Sequence, residues 1–148
     1  MGQRHYEEFE VGDSFDLGSR TITEAEIVAF AEEFDPQPFH VDPEAAAETQ
    51  YGQLFASGWH TAAVCMRLLV DGLLAETAVV SGVGVDDLRW KRPVFGGDEL
   101  AGTASIVGKE PWDGDAGAVR IDVSASDRDG EAKIRFVDIA LVSRRNGE

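Results

Sequence analysis

Cysteine occurs once in 148 residues, as Cys65, so no internal disulfide can form and nothing in the chain requires an oxidising compartment. It lies in an apolar, helix-like run, where a packed thiol is expected rather than a reactive one. Lysine is also scarce: three lysines and ten arginines stand against 28 acids, and the formal net charge is −15. A phosphate backbone or an anionic lipid surface needs a basic face to displace its counterions, so this balance argues against nucleic acid and membrane as partners. No apolar run approaches the roughly 20 residues that cross a bilayer, and the first residues carry no apolar signal segment, so a soluble, cytoplasmic protein is expected. Histidine stands only at positions 5, 40 and 60, with no cysteine nearby, a spacing that matches no metal-ligand pattern. No metal is expected. Repeats, linkers and low-complexity stretches are missing too, and a 16.0 kDa chain has the size of one domain, taken here as 1–148.

What is present is a run of punctuated, patterned segments. Ser14 to Ile22 carries Phe15, Leu17 and Ile22 among polar residues and predicts a short strand that ends where Thr23 opens a capping box with Glu26. Ile27, Phe30, Ala31 and Phe34 follow at helical spacing, and Pro36 stops that helix near Asp35. Asp42 before Pro43 has the order of an N-cap and first helical position, predicting one or two turns over Glu44 to Glu48. From Ser57, residues Trp59, Ala62, Ala63, Met66, Leu69, Val70 and Leu73 recur at three- and four-residue steps. This main helix is apolar around most of its circumference, so it is expected to be buried against a large surface. Trp59, Met66 and Phe55 are expected in the core, and His5 and His60 as ordinary surface or core histidines.

Four strand-like runs follow, Ser81 to Arg92, Glu99 to Lys109, Ala118 to Asp127 and Glu131 to Ser143, separated by Gly-Gly-Asp, Asp-Gly and Asp-Arg-Asp-Gly turns. Alternation is clearest where Val119, Ile121, Val123 and Ala125 interleave with Arg120, Asp122, Ser124 and Ser126. The economical architecture is α+β, a curved antiparallel sheet wrapped around one long helix, the hot-dog shape. Such a sheet leaves edges that pairing with a second copy would cover, so a homodimer or higher homo-oligomer is expected.

Composition does not account for Phe34 to His40, which reads Phe-Asp-Pro-Gln-Pro-Phe-His. Pro36 and Pro38 push Asp35 and Gln37 away from the α region, so Asp35 and His40 are expected on a shaped, non-helical loop. A carboxylate and an imidazole held together there could share one water, one group taking a proton while the other gives one. For a lone pair of such residues the plainer reading is a loop cap and a buried ring bonded to backbone; the surrounding motifs tip the balance to acid and base chemistry. Arg89, Lys91 and Arg92 form a dense basic patch, with Arg89 and Lys91 expected on one strand face, that could hold phosphate groups, though charged residues on a solvated strand face read the same way.

The motifs Phe9-Glu-Val-Gly-Asp13, Thr21-Ile-Thr-Glu-Ala-Glu-Ile27, Asp35 to His40, Ala56-Ser-Gly58, Arg92-Pro-Val-Phe95 and Gly97-Asp98 together cover most of the chain. In these it resembles the MaoC-like dehydratases, the hot-dog family that includes (R)-specific enoyl-CoA hydratases. Asp35, Pro38, Phe39 and His40 match the family loop in place; Phe34 and Gln37 differ from it, which bears on loop shape and substrate choice. The resemblance implies that Asp35 and His40 activate the water that adds to C3 of a trans-2-enoyl thioester, with a proton delivered at C2, and that the reverse reaction is dehydration. It implies that the backbone N–H of Gly58 receives the developing enolate oxygen, a role suited to a helix N-terminus. Spacing alone would equally allow Gly58 to be a plain entry turn. Gln37 and Ser57 are counted with Arg89, Lys91 and Arg92 as substrate-binding. No cofactor is implied, coenzyme A being part of the substrate.

Two other functions are compatible with a hot-dog domain. An acyl thioesterase would need an acid on or near the central helix, where Asp71 is available but near the far end. A non-catalytic module that binds acyl thioesters would not need Asp35 and His40. An acidic surface disfavours an acyl carrier protein, itself usually acidic, as the thioester carrier.

Overall fold

The computed structural model describes residues 3–145. Strand β1 (Ser14–Thr21) leads into helix α1 (Glu24–Phe34), and the expected capping box is there: Thr23 Oγ1 accepts from the Glu26 N–H at 3.2 Å, and Glu26 Oε1 accepts from the Thr23 N–H at 2.9 Å. Two short helices follow, α2 (Pro38–Val41) and α3 (Pro43–Ala47), the second capped by Asp42 through the Glu44 N–H at 3.0 Å. The long helix α4 (Gly58–Gly72) precedes strands β2 (Val79–Trp90), β3 (Glu99–Pro111), β4 (Ala116–Ser126) and β5 (Ala132–Ser143).

All five strands form one antiparallel sheet in the order β1-β3-β4-β5-β2. Alternation decides which face is wet. Val119, Ile121, Val123 and Ala125 of β4 are fully buried together with Ile134, Phe136, Ala140 and Val142 of β5, and against them pack Cys65, Leu68 and Leu69 of α4. The hot-dog arrangement read from the sequence is the arrangement the chain adopts. Burial pushes the Cys65 thiol up to about 12, so it stays protonated and packs as an apolar group.

Helix α4 is less wrapped than its composition suggested. Its buried stripe is His60, Thr61, Val64, Cys65, Leu68 and Leu69, while the opposite face carries the Arg67–Asp71 pair at 2.8 Å and leaves Val70 and Trp59 in the open. Trp59, expected in the core, is 58% exposed. Strand β2 is exposed along nearly its whole length, including Val79, Val80, Val83 and Val85, because it is a sheet edge and α4 packs over β1, β3 and β4 instead. Its pairing with β5 is interrupted three times, and Asp87 adopts φ +56° within the last interruption. No helix among the described residues is long and apolar enough to cross a membrane.

Candidate active site

The acid and the imidazole are delivered by two helix ends. Asp35 is the C-cap of α1, and Gln37 stays extended at φ −69°, ψ 143°, as the following Pro38 requires. Beyond Gln37 the expectation of a non-helical loop fails, because His40 sits on the single turn α2. Proline at the first helical position clashes with nothing and supplies a helical φ, so Pro38 restricts the residue before it and starts a helix after it. The shaped segment is therefore only Asp35 to Gln37. It is tied by the Gln37 N–H to the Asp35 carbonyl at 2.8 Å and by the Gln37 amide to Asp35 Oδ1 at 2.7 Å.

His40 is buried between Phe39 and Phe55, whose rings meet it edge-on at 4.6 and 5.0 Å. Its Nδ1 lies 2.6 Å from the Phe55 carbonyl. A carbonyl can only accept, so Nδ1 carries the hydrogen, and in the neutral ring Nε2 presents a lone pair. That nitrogen stands 3.5 Å from Asp35 Oδ2. The Ser57 hydroxyl, then the Gln37 amide, hold the Asp35 carboxyl below the usual carboxylate range, so Asp35 is ionised at neutral pH. Two acceptors at this separation suit the two O–H bonds of one water, and either can take a proton from it.

Ser57 has a second role, in the fully buried N-cap of α4. Its Oγ accepts from the Trp59 N–H at 3.2 Å, and its carbonyl accepts from His60 at 2.9 Å and Thr61 at 3.2 Å. The cap thus satisfies three of the first four N–H groups of the helix and leaves that of Gly58 without an acceptor among the described residues. Gly58 lines the same cavity as Asp35 and His40, a cleft of about 370 Å³. A preorganised free donor at a positive helix end is what a developing oxyanion needs.

Gln37, Lys91 and Arg92 also line the cavity; Ser57 stands behind it as cap and carboxylate partner. Arg89 does not line the cavity. It lies opposite Arg135, which points to Asp122 on the outer face of the sheet, and its guanidinium turns to the Leu88 carbonyl at 2.8 Å. The expectation that Arg89 and Lys91 share a strand face fails because β2 ends at Trp90, so the alternation stops before Lys91. Arg92 pairs loosely with Glu131 at 3.7 Å. Phe55, also expected in the core, is half-buried and forms a cavity wall with Tyr51, Trp59 and Trp90. Among the described residues no group of three His, Cys, Asp or Glu side chains could hold a metal ion.

Fold and site together define a hot-dog domain in which Asp35, His40 and the first residue of helix α4, Gly58, line one cavity. Residues 8–128 match the MaoC like domain family, and the chain belongs to it. It is 36% identical over 130 residues to the 3-hydroxyacyl-thioester dehydratase Z of Mycobacterium tuberculosis, covering 82% of each chain. The MaoC-like dehydratase from Rhodospirillum rubrum is 40% identical and superimposes with a TM-score of 0.87 over 95% of this chain and 97% of that one. The (R)-hydratase from A. caviae involved in PHA biosynthesis is 26% identical, with a TM-score of 0.73 over 89% and 96%.

Proposed function

We propose that this domain is a hydro-lyase that reversibly adds water to a trans-2-enoyl thioester of coenzyme A, giving the (R)-3-hydroxyacyl thioester. The observation that carries the reading is the placement of two acceptors, Asp35 Oδ2 and His40 Nε2, 3.5 Å apart, in a cavity also lined by Gly58, whose N–H has no acceptor among the described residues. The water oxygen bonds to C3 while one of its O–H bonds breaks and the proton passes to the Asp35 and His40 pair. The C2–C3 π electrons move toward the thioester carbonyl, whose oxygen takes the charge at Gly58. The enolate then collapses and C2 accepts a proton from the pair, so atoms and charge balance and both groups return to their starting state.

Relatives that dehydrate 3-hydroxyacyl thioesters or hydrate with (R) stereochemistry support the reaction type. Lys91 and Arg92 at the cavity mouth support a carrier rich in phosphate, in a protein otherwise too acidic to attract one. Edge strand β2, with four exposed valines and no neighbour on its outer side among the described residues, supports pairing with a second copy. The thioesterase reading loses its acid, since Asp71 is paired with Arg67 on the open face of α4 and does not line the cavity. Incubation with crotonyl-CoA tests the reading: the enoyl thioester absorbance should fall with no release of free thiol. Thiol release would select the thioesterase, and neither signal the binding module.

A further inference from the structure

The first turn of α4 is gripped from outside by one side chain. Trp90, the last residue of β2, donates its indole Nε1–H to the Gly58 carbonyl at 2.7 Å. Its ring rests on the Gly58 Cα so closely that an added Cβ would stand 2.3 Å from Cε2 and 2.6 Å from Cδ2. Gly58 is not among the glycines with positive φ, so its backbone would accept any residue; the indole is what requires a glycine there. Trp59 braces the arrangement, edge-on to Trp90 at 5.1 Å. Both rings line the cavity and both are about half in water, 44% for Trp90 and 58% for Trp59, an arrangement that core packing does not explain.

We propose that Trp90 is a positioning residue for the Gly58 N–H: its indole clamps the first turn of α4 and roofs the oxyanion donor, and Gly58 is glycine to admit the ring. The inference rests on the hydratase reading for its catalytic consequence. Two effects follow from the geometry. The hydrogen bond locks the helix start to the end of β2, whose next residues, Lys91 and Arg92, stand at the cavity mouth, so donor and basic arm keep one relative placement. The ring also shuts water away from one side of the donor, and a preorganised donor in a drier site stabilises developing charge more strongly.

The test is a double-mutant cycle, because Gly58→Ala keeps the N–H and a permitted backbone and can act only through the methyl group. With crotonyl-CoA, Gly58→Ala alone should lower kcat by about 10²-fold, the size of losing one oxyanion donor, with KM within about twofold. In a Trp90→Ala background the same methyl should cost no more than about threefold, since the ring it displaces is gone. Trp90→Phe, which keeps a ring and removes the N–H, should lower kcat about tenfold with melting unchanged. Equal loss from Gly58→Ala in both backgrounds overturns the clamp, as does a Trp90→Phe variant with wild-type kcat. A second readout does not depend on turnover: the indole N–H resonance of Trp90 should move on Gly58→Ala and stay in place on Asp35→Asn. An unmoved resonance overturns the clamp whatever the activity, whereas a wild-type protein that never hydrates enoyl thioesters refutes the hydratase reading and leaves the clamp to be judged on the resonance.

Discussion

Replacing Ser57 with alanine removes one oxygen that serves two partners, and the two losses appear in different measurements. As N-cap it accepts from the Trp59 N–H at 3.2 Å, and as a hydroxyl donor it is the largest cause of the lowered Asp35 pKa. Losing a serine cap costs typically ~1 kcal/mol, and Ser57 is fully buried, so water cannot readily replace it. For a domain of this length that lowers the melting temperature by about 2–4 °C at neutral pH. The Asp35 effect has a definite sign. A carboxyl with a depressed folded-state pKa contributes stability that is present above its ordinary value of 3.8 and is lost as pH falls through the lowered folded value. In Ser57→Ala the folded pKa moves back up toward 3.8, so the acid loss of stability that Asp35 contributes becomes smaller, while the acid limb of kcat/KM against pH moves to higher pH. Melting curves across acid pH and a pH profile with crotonyl-CoA read both. An unchanged melting temperature together with an unchanged acid limb would refute the shared role of this hydroxyl.

Three further outcomes are expected. Lys91→Glu should raise KM for a coenzyme A substrate several-fold while Arg89→Glu leaves it unchanged, and steady-state kinetics that show the reverse would return the basic arm to the strand face. Burial holds the His60 imidazole, stacked on Phe30 at 4.8 Å with its Nδ1 unpartnered among the described residues, below its ordinary 6.5. The unfolded chain then binds the proton more readily, so the His60 contribution is intact above 6.5 and falls as pH drops toward the folded value; His60→Phe should flatten that part of the melting profile. Light scattering should give at least twice the 16.0 kDa chain mass, and Val80→Glu with Val83→Glu on the exposed edge should shift it toward the monomer; a monomeric wild type contradicts the edge-pairing proposal.

Much of the frame was legible because it rests on local rules. Thr23 and Glu26 spell a capping box, Asp42-Pro43 spells a helix start, and β4 alternates so regularly that its dry face can be read residue by residue. Elsewhere the deciding information is tertiary. Pro38 limits Gln37 and yet begins the helix that carries His40, and only the position of the residue relative to the proline distinguishes the two effects. Phe55 and Trp59 have core composition, but an apolar cavity wall has the same composition. Alternation groups Arg89 with Lys91, but alternation holds only while a strand continues; β2 is interrupted by bulges and ends between them. Trp90 gave a faint signal as an aromatic set inside a basic run, and its meaning depends on Gly58, 32 residues earlier.

The central claim is that Asp35 and His40 act together on one water. Asp35→Asn and His40→Gln should each lower kcat by roughly 10²- to 10⁴-fold, the range for a positioned acid or base, while melting shifts by only a few degrees. Because both groups would serve the same proton transfers, the double variant should lose far less than the product of the single losses. Full activity in both single variants would contradict the account, and losses that multiply would deny that the two residues share a water.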